Sequence, residues 1–438
     1  MVKKVAIVGA GPSGLLLAHY LLCRGDDYQI DIYERRSDPR TISFSKSRTF
    51  PISLSERGMS ALRQIAGLEA AVKAISLEMT GAIFHQKDGK ARLTPRKQSL
   101  FTLDRTSLVI VLLEKLNEKY DNSKLNIHFN CQCTQVDFAA KKAVLKKNEA
   151  GIETDFTVDY DLLIGADGSR SVVRENFLGT ELFECEQKYI PSDYKSIFFP
   201  RPDAKVEINL QPDKIHTWTL DDGTIFLLLH QRDGTISGVI YFPHQNNQLV
   251  GLSSKEEVLK FFCEHFPEVS QLMPESEAAA FLTRPISRII TIRCNRYHQG
   301  NSVLLIGDAA HAVSSSIGQG CNAALEDVVV LNNLLNEYSD NLPTVIEQFT
   351  IRRQPDAHAL VELGDYAFPA SKGLLIEFIF RELISKTLHR LFPQRFSPSL
   401  FELISESTVP YSKILNLYQG WISKMKGNRE QGTENREN

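Results

Sequence analysis

The chain has 438 residues, 42% hydrophobic and 24% charged, with a formal net charge of −3 and a pI near 6.4. That is ordinary for a soluble protein long enough for two or three packed units, and it gives no electrostatic basis for binding nucleic acid, so a small molecule is the expected partner. Seven cysteines, at positions 23, 131, 133, 185, 263, 294 and 321, form no C-x-x-C pair or His/Cys ligand cluster, which points to a reducing, cytoplasmic setting without a bound metal.

Lys3-Lys4 before an apolar run resembles the start of a signal peptide. A glycine fingerprint explains the run better. Val5 to Val8 read as a buried strand, Gly9, Gly11 and Gly14 follow at G-x-G-x-x-G spacing with Ser13 in the same turn, and Leu15 to Leu22 continue as an apolar helix. Such a turn lets the backbone approach a pyrophosphate at a helix N-terminus. A second strand, Gln29 to Tyr33, ends in Glu34, whose carboxylate suits a ribose hydroxyl pair. The fingerprint alone does not separate NAD from FAD.

Further along, a strand from Asp161 to Ile164 leads into Asp167-Gly168, with Arg170 and Arg174 as cations beside the pyrophosphate region. Alternating segments at Val206 to Leu210, Thr217 to Leu220, Thr224 to Leu229 and Ile236 to Phe242 predict an antiparallel sheet roofing a substrate cavity. Polar turns at Asp221-Asp222-Gly223 and Arg232-Asp233-Gly234 separate its strands. A helix is expected from about Ser254 to His265.

A last strand, Val303 to Ile306, ends at Gly307-Asp308, and Gly318, Gln319 and Gly320 precede a helix from about Asn322 to Leu335. Here Asp308 can hold a ribityl chain, while the N–H groups of Gly320, Cys321 and Asn322 face a second anionic or carbonyl edge. One dinucleotide using both glycine-rich turns is FAD. The late apolar segment Leu374 to Phe392 is interrupted by Glu377, Arg381, Glu382, Lys386 and His389, so it cannot span a bilayer. Leu375, Phe378, Ile379, Leu383 and Leu391 can share a helical face packed over the body, with peripheral membrane contact as the other reading.

With these motifs the chain resembles the class A FAD-dependent monooxygenases, the aromatic hydroxylase group, and within it the kynurenine 3-monooxygenase branch. The segments ISLSERGMSALRQIAGLE, FTLDRTSL and HRLFPQRFSP extend the likeness over nearly the whole chain. The resemblance implies an α/β (α+β overall) fold: a Rossmann-like FAD-binding domain of the glutathione-reductase type, an inserted antiparallel β-sheet substrate domain and a C-terminal helical cap. The boundaries expected are 1–75, 98–180 and 290–355 for the flavin domain, 76–97 and 181–289 for the substrate domain, 356–425 for the helical region and 426–438 for a disordered tail.

The resemblance further implies that Arg36 and Arg105 contact the flavin cofactor, that Ser53 and Cys133 lie against it, that Asp308 meets its ribityl hydroxyls and that Cys321-Asn322 meet the isoalloxazine edge. Asp167-Gly168 would lie near both FAD and the incoming NADPH or NADH. The implied reaction delivers one atom of O2 from a flavin hydroperoxide to an electron-rich ring, with no side chain as a covalent catalyst.

Four substrate-facing positions depart from the branch: its carboxylate-gripping arginine falls on Ala82, the partnering tyrosine on Arg96, an asparagine on Ala367 and a tyrosine on Leu400. A carboxylate buried without its cation costs several kcal/mol, which argues against kynurenine as substrate unless Arg96 takes over. Near the reactive flavin edge, where the branch carries proline, this chain has Ser314, Ser315 and Ser316. Ser315, His85 and Arg96 are therefore pocket candidates, with a structural histidine and a surface arginine as the plainer readings of the last two. His311 reads as support for its loop. A flavin-dependent reductase or oxidase of the same fold, and a non-enzymatic FAD-binding interaction protein, remain alternatives.

Overall fold

The computed structural model describes residues 2–41, 49–149, 151–202, 210–366 and 372–437. Two sheets organise it. The first has six strands in the order His298–Gln299, Val303–Leu305, Leu162–Gly165, Lys3–Val8, Tyr28–Tyr33 and Leu125–His128, all parallel except the edge strand His298–Gln299. Val5 to Val8 and Leu162 to Gly165 are buried without interruption, as strands covered on both faces require. The helix Pro12–Leu22 is buried along its whole length and packs against Arg105–Lys119 and Gly320–Glu337. A three-stranded antiparallel meander, Cys131–Asp137, Lys142–Glu149 and Ile152–Asp159, lies beside this layer.

The second sheet has eight strands in the order Ser287–Cys294, Cys185–Phe199, Ile236–Pro243, Ile225–His230, Lys214–Thr219, Leu77–His85, Ala91–Asp104 and Pro51–Leu54. The turns between its central strands are pinned by Asp222 and Asp233, which accept from the Thr224 and Thr235 N–H groups at 2.8 and 2.9 Å. It is not wholly antiparallel, because Lys214–Thr219 runs parallel to Leu77–His85. Those strands come from distant parts of the chain, so no hairpin fixes their relative direction. Pro51–Leu54, placed by sequence with the flavin-binding residues, is the edge of this sheet, and Ala91–Asp104 belongs to it over most of its length. The expected strand at Val206 to Leu210 falls outside the described residues except for Leu210.

One face of the large sheet, through Ile197, Phe199, Trp218, Phe226, Ile240 and Phe242, is covered by the helices Lys255–His265 and Glu275–Thr283. The opposite face looks toward the parallel sheet. Helices Leu342–Tyr366, Lys372–Leu391, Leu400–Glu406, Tyr411–Leu417 and Gln419–Glu437 complete the chain. The last is helical through the segment expected to be disordered, whose Arg, Glu and Gln are good helix formers. Among the described residues no helix is long and apolar enough to cross a membrane.

Candidate cofactor and substrate site

The glycine turn is shaped by contact with its neighbour strand. Gly9 has φ 107°, and a Cβ there would lie 2.4 Å from the Ala166 carbonyl oxygen. At Gly14 it would lie 2.3 Å from Gly9 O. Gly11 differs: the nearest atoms to a Cβ, Ala166 O and Arg105 Nη2, are 3.9 Å away, so this position leaves space above the helix instead of enabling packing. The helix Pro12–Leu22 has no side-chain cap, leaving an N-terminus that favours an anion. Glu34 grips the same turn, accepting from the N–H groups of Ala10 and Arg36 at 2.9 Å each. Each carboxylate oxygen retains acceptor capacity for a hydroxyl.

Asp308 lies next to this turn: a Cβ on the preceding Gly307 would meet Ser13 Oγ at 3.0 Å. Its side chain is accessible from a cleft yet surrounded by protein, so burial raises its pKa while Arg105 and His311 oppose the rise. The Arg105 guanidinium reaches toward Gly11, Asp308 and Cys321, and no hydrogen bond or ion pair to it occurs among the described residues. Helix Gly320–Glu337 likewise opens without a side-chain cap, so the amides of Gly320, Cys321 and Asn322 point into the cleft beside Gly318. Burial pushes the Cys321 thiol up to about 12, keeping it neutral.

Other expected contacts have structural duties. The buried Asn322 side chain donates to Ser53 O at 2.9 Å and Gly318 O at 3.0 Å and accepts from Ser55 N–H at 2.9 Å. It is a clamp, which leaves only its backbone N–H for a ligand. Ser53 sits opposite, its Oγ 3.2 Å from a Cβ position on Gly318. Asp167 accepts from Ser171 Oγ at 2.6 Å and Val172 N–H at 2.8 Å, capping the helix Val172–Phe177, while Gly168 faces open space. Cys133 is buried near Asp167, its thiol pushed up to about 12 by burial first and then by that carboxylate. Arg36 is exposed beside Glu34, and its carbonyl accepts from Asn130 N–H at 3.0 Å. Arg174, expected as a cation lining the pyrophosphate region, is instead buried and donates to Ala309 O at 2.9 Å and Ser169 O at 2.7 Å.

Beneath Asp308 lies a charge network that sequence reasoning missed. Asp327, fully buried, accepts from Gly307 N–H at 2.7 Å, His311 Nε2 at 2.7 Å and Arg353 Nε at 2.5 Å. Arg353 also pairs with Glu326, which in turn pairs with the buried Arg57 stacked on Tyr411. The positive signal in the sequence was the acidic pair Glu326-Asp327 set between the apolar runs Ala323–Leu325 and Val328–Leu331. His311 thus supports its loop, as read from sequence.

On the substrate side, the structure divides the candidates. Ala82 pairs with Ile215 and Thr94 and shares their face of the sheet, opposite the helix-covered face that holds Trp218. His85 is on the other face: it stacks on Trp218 at 4.1 Å, with Nε2 2.8 Å from His216 Nδ1 and Nδ1 3.1 Å from Glu268. It does not share the face of Ala82, because strand alternation separates the two by an odd step. Arg96 docks on helix Leu400–Glu406, donating to Ser405 O at 3.3 Å, lying 3.8 Å from Glu406 and over Phe401. Leu400 is buried with Ala323, Leu360 and Phe378, and Ala367 lies outside the described residues.

In the serine loop, Ser314 accepts from Ser316 N–H at 3.2 Å and Ser316 donates to Gly364 O at 2.7 Å. Ser315 and Ser316 are both exposed, and the Ser315 hydroxyl is the one not engaged within the loop. Beside it stands Tyr241, whose phenol is raised by burial and pulled back by Ser315. Tyr241 is 5.9 Å from Tyr194, and Tyr194 is 6.2 Å from Phe50, ring centre to ring centre. This aromatic row was not anticipated, since in sequence its members look like ordinary strand residues.

The site fits FAD. Two uncapped helix N-termini and the Arg105 guanidinium, unpaired among the described residues, suit pyrophosphate and the flavin carbonyl edge, the open Gly11 leaves room, and the Glu34 and Asp308 carboxylates could accept from hydroxyls. Comparison with known proteins agrees. Residues 3–363 match the family model described as "FAD binding domain". Kynurenine 3-monooxygenase of Drosophila willistoni is 32% identical over 424 residues, covering 94% of this chain and 89% of that protein. The Sus scrofa enzyme of that name is 29% identical, covering 96% and 87%. Among solved structures, 2-methyl-3-hydroxypyridine-5-carboxylic acid oxygenase superposes with a TM-score of 0.69 at 20% identity, covering 87% of this chain and 94% of that one. P. aeruginosa PqsL in complex with 2-aminobenzoylacetate gives 0.63 at 20% identity, covering 84% and 95%. The chain belongs to the FAD-binding family and, within it, to the flavoprotein monooxygenases related to kynurenine 3-monooxygenase.

Proposed function

We propose that this enzyme hydroxylates a small, electron-rich aromatic substrate held against Phe50, Tyr194 and Tyr241, and that the substrate is not kynurenine. The observation that carries the reading is the state of the two positions aligned with the carboxylate grip. Ala82 offers no charge, and Arg96 is engaged with Ser405 and Glu406. Taking Arg96 from them to bind a substrate carboxylate would leave Glu406, already raised by burial, without its counter-charge.

Bound FAD, reduced by NADPH or NADH, supplies the activation of O2 that side chains lack. The residues do the rest. Arg105 and the two helix N-termini would hold the anionic parts of the cofactor and Asp308 would accept from its chain hydroxyls, while Asp327, accepting from Gly307 N–H, fixes the turn that carries Asp308. The aromatic row orients a flat ring by stacking and edge contacts, and the Tyr241 and Ser315 hydroxyls offer neutral hydrogen bonds to a phenol or arylamine.

The test is anaerobic stopped-flow reduction by NADPH with a panel of phenols, arylamines, aromatic acids and kynurenine. A phenol or arylamine should accelerate flavin bleaching at least about tenfold, the scale of about 1.4 kcal/mol of transition-state stabilisation, and kynurenine should not. Acceleration by kynurenine with conversion to a hydroxylated product would overturn the assignment.

A further inference from the structure

Cys185 opens the strand Cys185–Phe199 and Cys294 closes the strand Ser287–Cys294, and the two are direct partners in the antiparallel register. Their sulfur atoms are 3.5 Å apart, with the Cys294 thiol donating to Cys185. Cys294 is fully buried in the core beneath the parallel sheet, whereas Cys185 is partly accessible. Opposed residues in an antiparallel pair have Cα atoms about 4.5–5.5 Å apart, inside the roughly 4.4–6.8 Å that a disulfide spans. Joining these sulfurs therefore needs side-chain rotation and no strand movement.

A second observation concerns Arg174. Its guanidinium is buried, its Nε has no hydrogen-bond partner among the described residues, and its charge acts on both sulfurs. An orphaned donor on a buried cation beside two thiols is an arrangement that favours a thiolate. The hydrogen bond from Cys294, and after it the Arg174 charge working against burial, bring the Cys185 thiol down to about 7. The same guanidinium donates to Ala309 O, next to Asp308.

We propose that Cys185 and Cys294 form a peroxide-sensitive thiol pair, a site of reversible oxidation to a disulfide. The Cys185 thiolate attacks one oxygen of hydrogen peroxide; the O–O bond breaks, hydroxide leaves and takes up a proton, and Cys185 becomes a sulfenic acid. The Cys294 sulfur then attacks the Cys185 sulfur, the S–O bond breaks and water departs with the thiol proton. Two thiols lose two electrons and two protons, and one peroxide is reduced to two waters. The bond ties together the two strands that join the large sheet to the parallel-sheet core, at a residue pair within electrostatic reach of Arg174, whose guanidinium donates to Ala309 O beside Asp308.

The experiment uses the full-length reduced protein and a small molar excess of hydrogen peroxide near pH 7.5, followed by alkylation of remaining thiols and peptide mapping by mass spectrometry. The expected result is a peptide pair linked through Cys185 and Cys294, lighter by two hydrogens, formed about tenfold or more faster than any oxidation of the exposed Cys23 and Cys263 and reversed by dithiothreitol. In Cys294→Ser, Cys185 should accumulate as a sulfenic acid trapped by dimedone. Oxidation of Cys23 or Cys263 while Cys185 and Cys294 both stay free overturns the proposal. So does conversion of wild-type Cys185 to sulfinic acid without linkage.

Discussion

The side-chain amide of Asn322 bridges two distant segments, donating to the Ser53 carbonyl and accepting from the Ser55 N–H, both at 2.9 Å. It holds the edge strand of the large sheet against the helix that opens toward the flavin. Replacing it by alanine leaves buried partners unsatisfied, so Asn322→Ala should cost about 2–3 kcal/mol of stability in urea denaturation. It should also weaken FAD retention on gel filtration. Unchanged stability would mean that the clamp is dispensable.

Two glycines of one motif should fail in different ways. Gly9→Ala places a Cβ 2.4 Å from Ala166 O at a φ of 107°, so the cofactor-free protein itself should melt lower or fail to fold. Gly11→Ala meets nothing closer than 3.9 Å, so the cofactor-free protein should melt as the wild type does. Its FAD affinity, read by fluorescence titration, should fall about tenfold or more, because the methyl group occupies ligand space. Equal losses of cofactor-free stability in both variants would contradict this division.

The strand-to-helix turn at Gly9 and Gly14 was legible because close approach of backbone to backbone demands glycine at that spacing. The turns at Asp222 and Asp233 were legible for a local reason too. His85 follows the structural reading and not the pocket one, because alternation decides its face, and the register shift between Met79 and Gly81 hides the parity from the sequence. The parallel pairing of Lys214–Thr219 with Leu77–His85, and the meeting of Asp327 with Arg353, join residues that no local pattern relates. Tyr194 and Tyr241 face each other only once the strands Cys185–Phe199 and Ile236–Pro243 are in register.

His19 should make stability pH-dependent. It is buried in the helix Pro12–Leu22, 3.0 Å from Leu112 O, and burial lowers its pKa from 6.5 to about 4. Between those values the unfolded chain binds a proton that the folded one refuses. Its stabilising contribution is complete above pH 6.5 and declines as pH falls toward 4, by up to about 1.4 kcal/mol per pH unit. His19→Gln should flatten the stability profile in that window, and a variant with the wild-type slope would contradict the assignment.

Asp327 acts in a lower window. Burial pushes its carboxyl up, but His311 and Arg353 hold it below its ordinary 3.8. Asp327→Asn strips the buried Arg353 of a counter-charge and should cost about 3–5 kcal/mol near neutral pH. A depressed folded-state pKa contributes stability above the unfolded value and loses it as pH falls through the folded one. The gap between wild type and variant should therefore hold above pH 3.8 and narrow below it. A gap that widens on acidification would reverse the sign of the argument.

The most direct test of the whole account is a turnover under 18O2 with NADPH and the substrate that most accelerates flavin reduction, read by mass spectrometry of the product. Monooxygenation against the Phe50, Tyr194 and Tyr241 row predicts a hydroxylated product carrying one heavy oxygen atom. Consumption of NADPH and oxygen with no label in any product would contradict it and assign the protein to the reductases or oxidases of this fold.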